Sequence, residues 1–137
     1  MQKKDKPKEF DHLFLLSGPE PTQTDFLKKI ALRLLNYKGK AMIVSSSDSC
    51  NEIVLNSNVE IIKMPSKEQL NDLIAASKIV VCRSGYSTLM DMHLLGKNEL
   101  ILIPTPGQSE QEYLALYWSK KYKSVYLPED QLKDYAF

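Results

Sequence analysis

Six short, largely apolar runs of strand length, separated by stretches with helical periodicity, limit this chain to few folds. The runs lie at 12–16, 41–44, 59–62, 79–82, 100–103 and 124–127. Most of them are continuous rather than alternating in hydrophobicity, the pattern of strands buried on both faces. Between them, Phe26, Leu27, Ile30, Ala31 and Leu34 repeat at helical spacing, and so do Leu70, Leu73 and Ile74. Further helices are expected at 85–95 and 109–122. Alternation of this kind predicts a doubly wound, Rossmann-like α/β fold: a parallel sheet of about six strands with helices on both faces.

Local signals set the element ends. Ser17-Gly18-Pro19-Glu20-Pro21 stops the first strand, because no regular element crosses two prolines. Thr22, with Asp25 three residues on, is expected to cap the first helix. Ser66 with Gln69, and Ser109 with Glu112, read as capping boxes. Residues 51–58 are compatible with either a short strand or an irregular segment. A last short helix is expected after Pro128, with proline at its first position. Residues 1–10 read as a charged linker tail, and 11–137 as one domain, within the usual size for a single core.

Composition narrows the function classes. A formal charge of +1 carries no domain-wide basic excess of the kind that binds nucleic acid. Lys3, Lys4, Lys6 and Lys8 read as a solvated tail. No apolar stretch reaches 18 residues and the N-terminus is polar, so neither a membrane span nor a signal peptide is expected, and the expected compartment is cytoplasmic. Cys50 and Cys82 do not form a disulfide framework, and Cys82, closing an apolar strand, is expected to be a buried thiol. His12 and His93 fit packing or surface roles, and no Cys/His spacing suits zinc. No cofactor and no metal are expected, since no Asp-x-Asp pair is present to hold a divalent ion on a diphosphate.

In a doubly wound sheet, ligands sit outside the carboxyl ends of the strands. Ser17-Gly18, Lys63-Met64, Arg83-Ser84-Gly85 and Thr105-Pro106-Gly107 all fall there. Ser84, Thr88 and Asp91 recur at i, i+4 and i+7 and form one polar stripe. Seven residues at helical rise set Asp91 about 10 Å from Ser84, a phosphate-to-ribose reach. Gln108, Gln111 and Glu112 open the next helix with amides and a carboxylate. Phosphate at a helix start, ribose on a carboxylate and sugar hydroxyls on amides would suit a nucleotide sugar. The plain alternative makes Ser84 an N-cap and Asp91 a surface residue. The first loop, with one glycine and two prolines, is neither G-x-G-x-x-G nor a P-loop.

Val80-Val81-Cys82-Arg83-Ser84-Gly85, the acidic residue at 91 and the stretch 104–112 resemble the C-terminal, donor-binding half of MurG-like glycosyltransferases of the GT-B fold, the family 28 C-terminal type. The resemblance spans about residues 12–132 and is most specific between 78 and 115. It implies a Rossmann-like half that binds a nucleoside-diphosphate sugar, UDP-linked in the family, without a metal. By motif, Ser84 and Gly85 match the turn near the diphosphate. Asp91 matches a ribose-binding Glu, one methylene shorter. Gln111 and Glu112 match a Gln-Gln pair on the donor sugar, with a negative charge added at Glu112. Met64 matches a position whose backbone reads the uracil edge, and Ser17 and Gly18 stand where the family has a glycine-rich loop.

A GT-B enzyme takes its acceptor, and usually its base, from an N-terminal domain that these residues do not contain. The resemblance therefore implies the donor domain of an inverting transferase that needs that acceptor domain in cis or as a partner subunit in trans. It implies peripheral membrane association only through the missing half. The chain is then a piece of a protein more than twice as long, or a natural half like that of the split N-acetylglucosamine transferase of dolichol-oligosaccharide synthesis. Half of a nucleotide-sugar 2-epimerase, or a partner domain without enzymatic activity that retains the fold, are the competing expectations.

Overall fold

The computed structural model describes residues 8–137. Lys3, Lys4 and Lys6 lie outside them. Six parallel strands, β1 (Phe10–Leu15), β2 (Ala41–Ser45), β3 (Val59–Lys63), β4 (Ser77–Cys82), β5 (Leu100–Leu102) and β6 (Val125–Tyr126), form one sheet in the order β3-β2-β1-β4-β5-β6. The helices are α1 (Thr22–Arg33), α2 (Lys67–Ala75), α3 (Tyr86–Leu94) and α4 (Ser109–Lys121). The doubly wound Rossmann-like expectation holds.

Register explains why the strand runs are apolar throughout. Phe14 lies beside Ile43 and Val81, and these side chains join Phe26, Leu27 and Ile30 of α1 in one core layer. Leu13, one residue earlier, lies beside Val80 and faces the opposite layer, with Ile74 of α2, Leu89 and Met92 of α3, and Ala115 and Trp118 of α4. Alternate residues thus enter alternate cores, and both sets must be apolar.

Strand β1 starts at Phe10, earlier than the apolar run suggests. The Glu9 and Phe10 N–H groups donate to the Ala76 carbonyl, and Phe10 is buried. Residues 51–58 form no strand, and only the first two of them belong to a 3₁₀ turn, Cys50–Glu52. The final helix is also 3₁₀, Glu129–Asp134, with Pro128 at its N-cap rather than inside it.

Two caps differ from expectation. Thr22 is already helical, and the N-cap is Pro21, which has no side-chain donor or acceptor to offer. The Glu20 carboxylate instead accepts the Thr24 N–H at 2.8 Å. Ser109 is likewise helical and the N-cap is Gln108, with no side-chain cap bond, so the Ser109–Glu112 box does not form. Ser66 and Gln69 do form their reciprocal box at the start of α2.

Candidate functional site

The chain runs β1, β2, β3 toward one edge of the sheet and β4, β5, β6 toward the other, so β1 and β4 flank the switch point where such folds bind ligands. The loops after β1 and β4 carry Ser17-Gly18 and Arg83-Ser84-Gly85. A cleft of about 490 Å³ opens here between α2 and α3. Leu15, Leu70, Ile74, Met92 and Leu95 supply its apolar lining, and Ser17, Thr88 and Asp91 meet on it. A cavity of this size with an apolar lining and few convergent polar groups is the form small-molecule sites take.

Helix α3 forms one wall of the cleft from Thr88, in its first turn, onward. Its N-cap is Gly85, no side chain caps it, and the first-turn N–H groups of Tyr86, Ser87 and Thr88 have no intrahelical acceptor. Gly85 has φ −69°, and a Cβ built there would meet no atom within 4 Å. The fold itself therefore does not demand glycine at this position. Its small size leaves room in front of the helix start.

The hydroxyl of Ser84 is not free for a ligand and caps nothing. Buried at the turn, it donates to the Gln111 carbonyl at 2.7 Å. Gln111 in turn accepts the Thr105 N–H through Oε1 at 2.8 Å. The turn after β4 and the loop after β5 are thereby tied together through α4. Gln108 is exposed, and Glu112 lines a separate hollow of about 300 Å³ with Gly107, Tyr126 and Asp130. Glu112 and Asp91 therefore border different depressions.

Arg83 takes an unexpected direction. Its guanidinium is buried on the α1 side of the sheet, stacked over the Phe26 ring at 3.6 Å. It donates to the Ile103 and Pro104 carbonyls at 3.3 Å and forms a 2.7 Å ion pair with Glu129, off the axis of a linear hydrogen bond. Burial raises the Glu129 carboxyl, but the hydrogen bond from Lys29 and the charges of Arg83 and Lys29 outweigh it and hold it below the ordinary carboxylate range. Arg83 thus anchors the C-terminal segment, and its side chain is on the face away from α3.

The first loop is closed by a side chain of α1. Gly18, at φ +110°, takes a conformation open mainly to glycine, and its carbonyl accepts from Gln23 Nε2 at 2.8 Å. Gln23 Oε1 accepts from Ser45 Oγ and the Ser46 N–H, both at 2.7 Å. Buried Gln23 therefore joins the loops after β1 and β2, a role its place in the amphipathic pattern of α1 does not announce. Glu20, its carboxyl held low by the Thr24 bonds, puts an anion at the start of α1. Met64 is exposed with φ +50°, and its N–H donates to the Ser45 carbonyl. Pro65, the next residue, lines the cleft, and Met64 does not.

Sequence reasoning missed Lys67 and Asn71, which line the α2 wall of the cleft. Their spacing of four and the Ser66–Gln69 box that starts their helix are the signals that could have found them. The expected bland roles of the histidines hold: His12 is buried with Nδ1 2.7 Å from the Tyr37 hydroxyl, and His93 is exposed against the Tyr122 ring. Cys82 is a buried free thiol, pushed up to about 12 by burial. Among the described residues no group of three His, Cys, Asp or Glu could hold a metal, and no helix is long and apolar enough to cross a membrane.

An all-parallel 3-2-1-4-5-6 sheet with its cleft at the switch point defines a Rossmann-like domain of the kind that forms half of a GT-B glycosyltransferase. The sequence profile of the glycosyltransferase family 28 C-terminal domain matches residues 19–136, and the chain belongs to that family. The crystal structure of Acinetobacter baumannii MurG superposes with a TM-score of 0.64 at 15% identity, over 94% of this chain and 38% of that one. This chain therefore spans well under half of that protein's length. No match to a curated protein is found.

Proposed function

We propose that this domain binds the nucleoside-diphosphate sugar, UDP-linked, that an inverting glycosyltransferase uses as donor. The observation that carries the reading is the meeting of Ser17, Thr88 and Asp91 on one cleft beside the uncapped first turn of α3. Asp91 accepts from the ribose hydroxyls. The N–H groups of Tyr86, Ser87 and Thr88 hold the diphosphate, with Gly85 leaving room for its approach. Gln111, whose Oε1 is engaged by Thr105, offers its amide Nε2 to the donor sugar, with Gln108 and Glu112 on the same helix start. Met64, with its N–H engaged, offers the base its carbonyl.

In the transfer, an acceptor hydroxyl attacks the anomeric carbon opposite the diphosphate. The bond from that carbon to the phosphate oxygen breaks, and the electron pair leaves with the nucleoside diphosphate. The α3 start is placed to stabilise the charge that develops there. The acceptor and the base that takes its proton come from the other half of the enzyme, so the 137-residue chain alone binds donor and transfers no sugar. Calorimetric and NMR titration with UDP, GDP and dTDP, free and as sugars, tests the reading and discriminates the nucleotide. If none of them shifts the amides of Ser87, Thr88 and Asp91, the proposal is removed.

A further inference from the structure

A bound diphosphate brings at least two negative charges to the α3 start, and the cation nearest in sequence cannot meet them. Arg83 is buried on the opposite face of the sheet, engaged by Glu129, Ile103 and Pro104. The first loop adds no donor at Pro19 or Pro21 and carries the Glu20 anion instead. Among the residues lining the α2–α3 cleft, Lys67 is the sole cation. It is exposed and enters no ion pair among the described residues.

Its position follows from the fold. Both α2 and α3 lead back from the carboxyl edge of a parallel sheet, so their first turns lie at the same edge. Lys67 is the first residue of α2, pinned by the Ser66–Gln69 box, and Thr88 lies in the first turn of α3. One turn further along each helix, Asn71 and Asp91 line the same cleft. The outer level thus holds a cation and free N–H groups, and the inner level holds an amide and a carboxylate. That polarity suits a ligand with phosphates outward and a hydroxylated nucleoside inward.

We propose that Lys67 is the phosphate counter-charge of this cleft and the residue that makes it select a nucleoside diphosphate over a nucleoside. The assignment rests on the donor-binding reading above. A lysine acts here as a mobile point charge, needing no fixed fork geometry.

The test titrates UDP and uridine against the wild-type chain, Lys67→Gln and Lys67→Arg, with thermal melts confirming the fold. Lys67→Gln is expected to weaken UDP at least about tenfold, the effect of losing one bond to a charged group. Uridine affinity stays unchanged, and Lys67→Arg restores most of the UDP affinity. UDP binding indifferent to Lys67→Gln, or uridine binding lost in parallel with it, overturns the assignment while leaving the donor reading intact. Failure of the wild type to bind either probe overturns the donor reading and this assignment together.

Discussion

The Ser84 hydroxyl donates to the Gln111 carbonyl at 2.7 Å, across 27 residues of sequence, and so joins the turn before α3 to the first turn of α4. This contact fixes the turn proposed to face the phosphate relative to the helix proposed to hold the sugar. Ser84→Ala is expected to cost about 1 kcal/mol of stability, the usual net worth of one such bond. The functional effect falls on the sugar: the preference for UDP-sugar over UDP shrinks, while UDP affinity changes little. Calorimetry on both ligands checks this. Equal losses for the two would place Ser84 in the phosphate contact itself.

Asp91 is exposed on α3 and borders the cleft. Asp91→Ala is expected to weaken nucleotide binding by about 1.5–3 kcal/mol, the range for hydrogen bonds to a charged group. Alanine suits an exposed helix position, so the melting temperature holds. Unchanged UDP affinity would return Asp91 to the role of a surface residue.

Glu129 and Lys29 provide a contrast within one cluster. Glu129→Gln leaves the buried Arg83 without its carboxylate and is expected to cost about 3 kcal/mol or more. Lys29 lies 2.8 Å from the same carboxylate, but its side chain is 55% exposed, so Lys29→Ala is expected to cost under about 1 kcal/mol. Urea unfolding of the two variants measures the difference. Because the folded Glu129 carboxyl is held below its ordinary value of 4.5, its contribution is present above that value. It is lost as pH falls through the lower folded one. Similar losses in the two variants would show that burial does not set the strength of this cluster.

His12 ties stability to mildly acidic pH in the same direction, here because the fold favours the neutral form rather than the charged one. Burial lowers its pKa from 6.5, with the charge of Asp11 opposing more weakly. Below pH 6.5 the unfolded chain takes up the proton before the folded one does. Stability therefore falls as pH drops from that value toward the lower folded one. His12→Phe removes the group and is expected to flatten the curve as pH falls below 6.5. It also leaves the Tyr37 hydroxyl without its 2.7 Å partner, which lowers stability at every pH. A wild-type curve already flat over that range would contradict the argument.

Much of the architecture was readable because its causes are local. Leu13-Phe14-Leu15 and Ile79-Val80-Val81 are apolar at every position, which only a strand buried on both faces requires. The Ser66–Gln69 box formed as expected because both partners lie within one helical turn. The caps that failed did so where a neighbour intervened. Glu20 reaches the α1 start from outside the helix in place of Thr22, and α4 begins after Gln108, with Ser109 already inside it.

In the site, the sequence by itself put the turns at Ser17-Gly18, Lys63-Met64, Arg83-Ser84-Gly85 and Thr105-Pro106-Gly107 at the carboxyl edge, since the alternation of elements makes the strands parallel. The strand order that sets the β1 and β4 loops at the switch point came from the tertiary structure. The sequence also put Thr88 and Asp91 on one stripe of α3, because helical periodicity is a property of neighbouring residues. Only the tertiary structure decided which side chains reach the cleft. Arg83 and Ser84 are adjacent, yet Arg83 turns to Glu129, 46 residues on, and Ser84 to Gln111. Gln23 closes the first loop from within α1, and Lys67 joins the cleft from a helix whose capping box marks its start but not a site. A buried polar group goes wherever a partner satisfies it. When that partner is dozens of residues away, spacing along the chain holds no record of the choice.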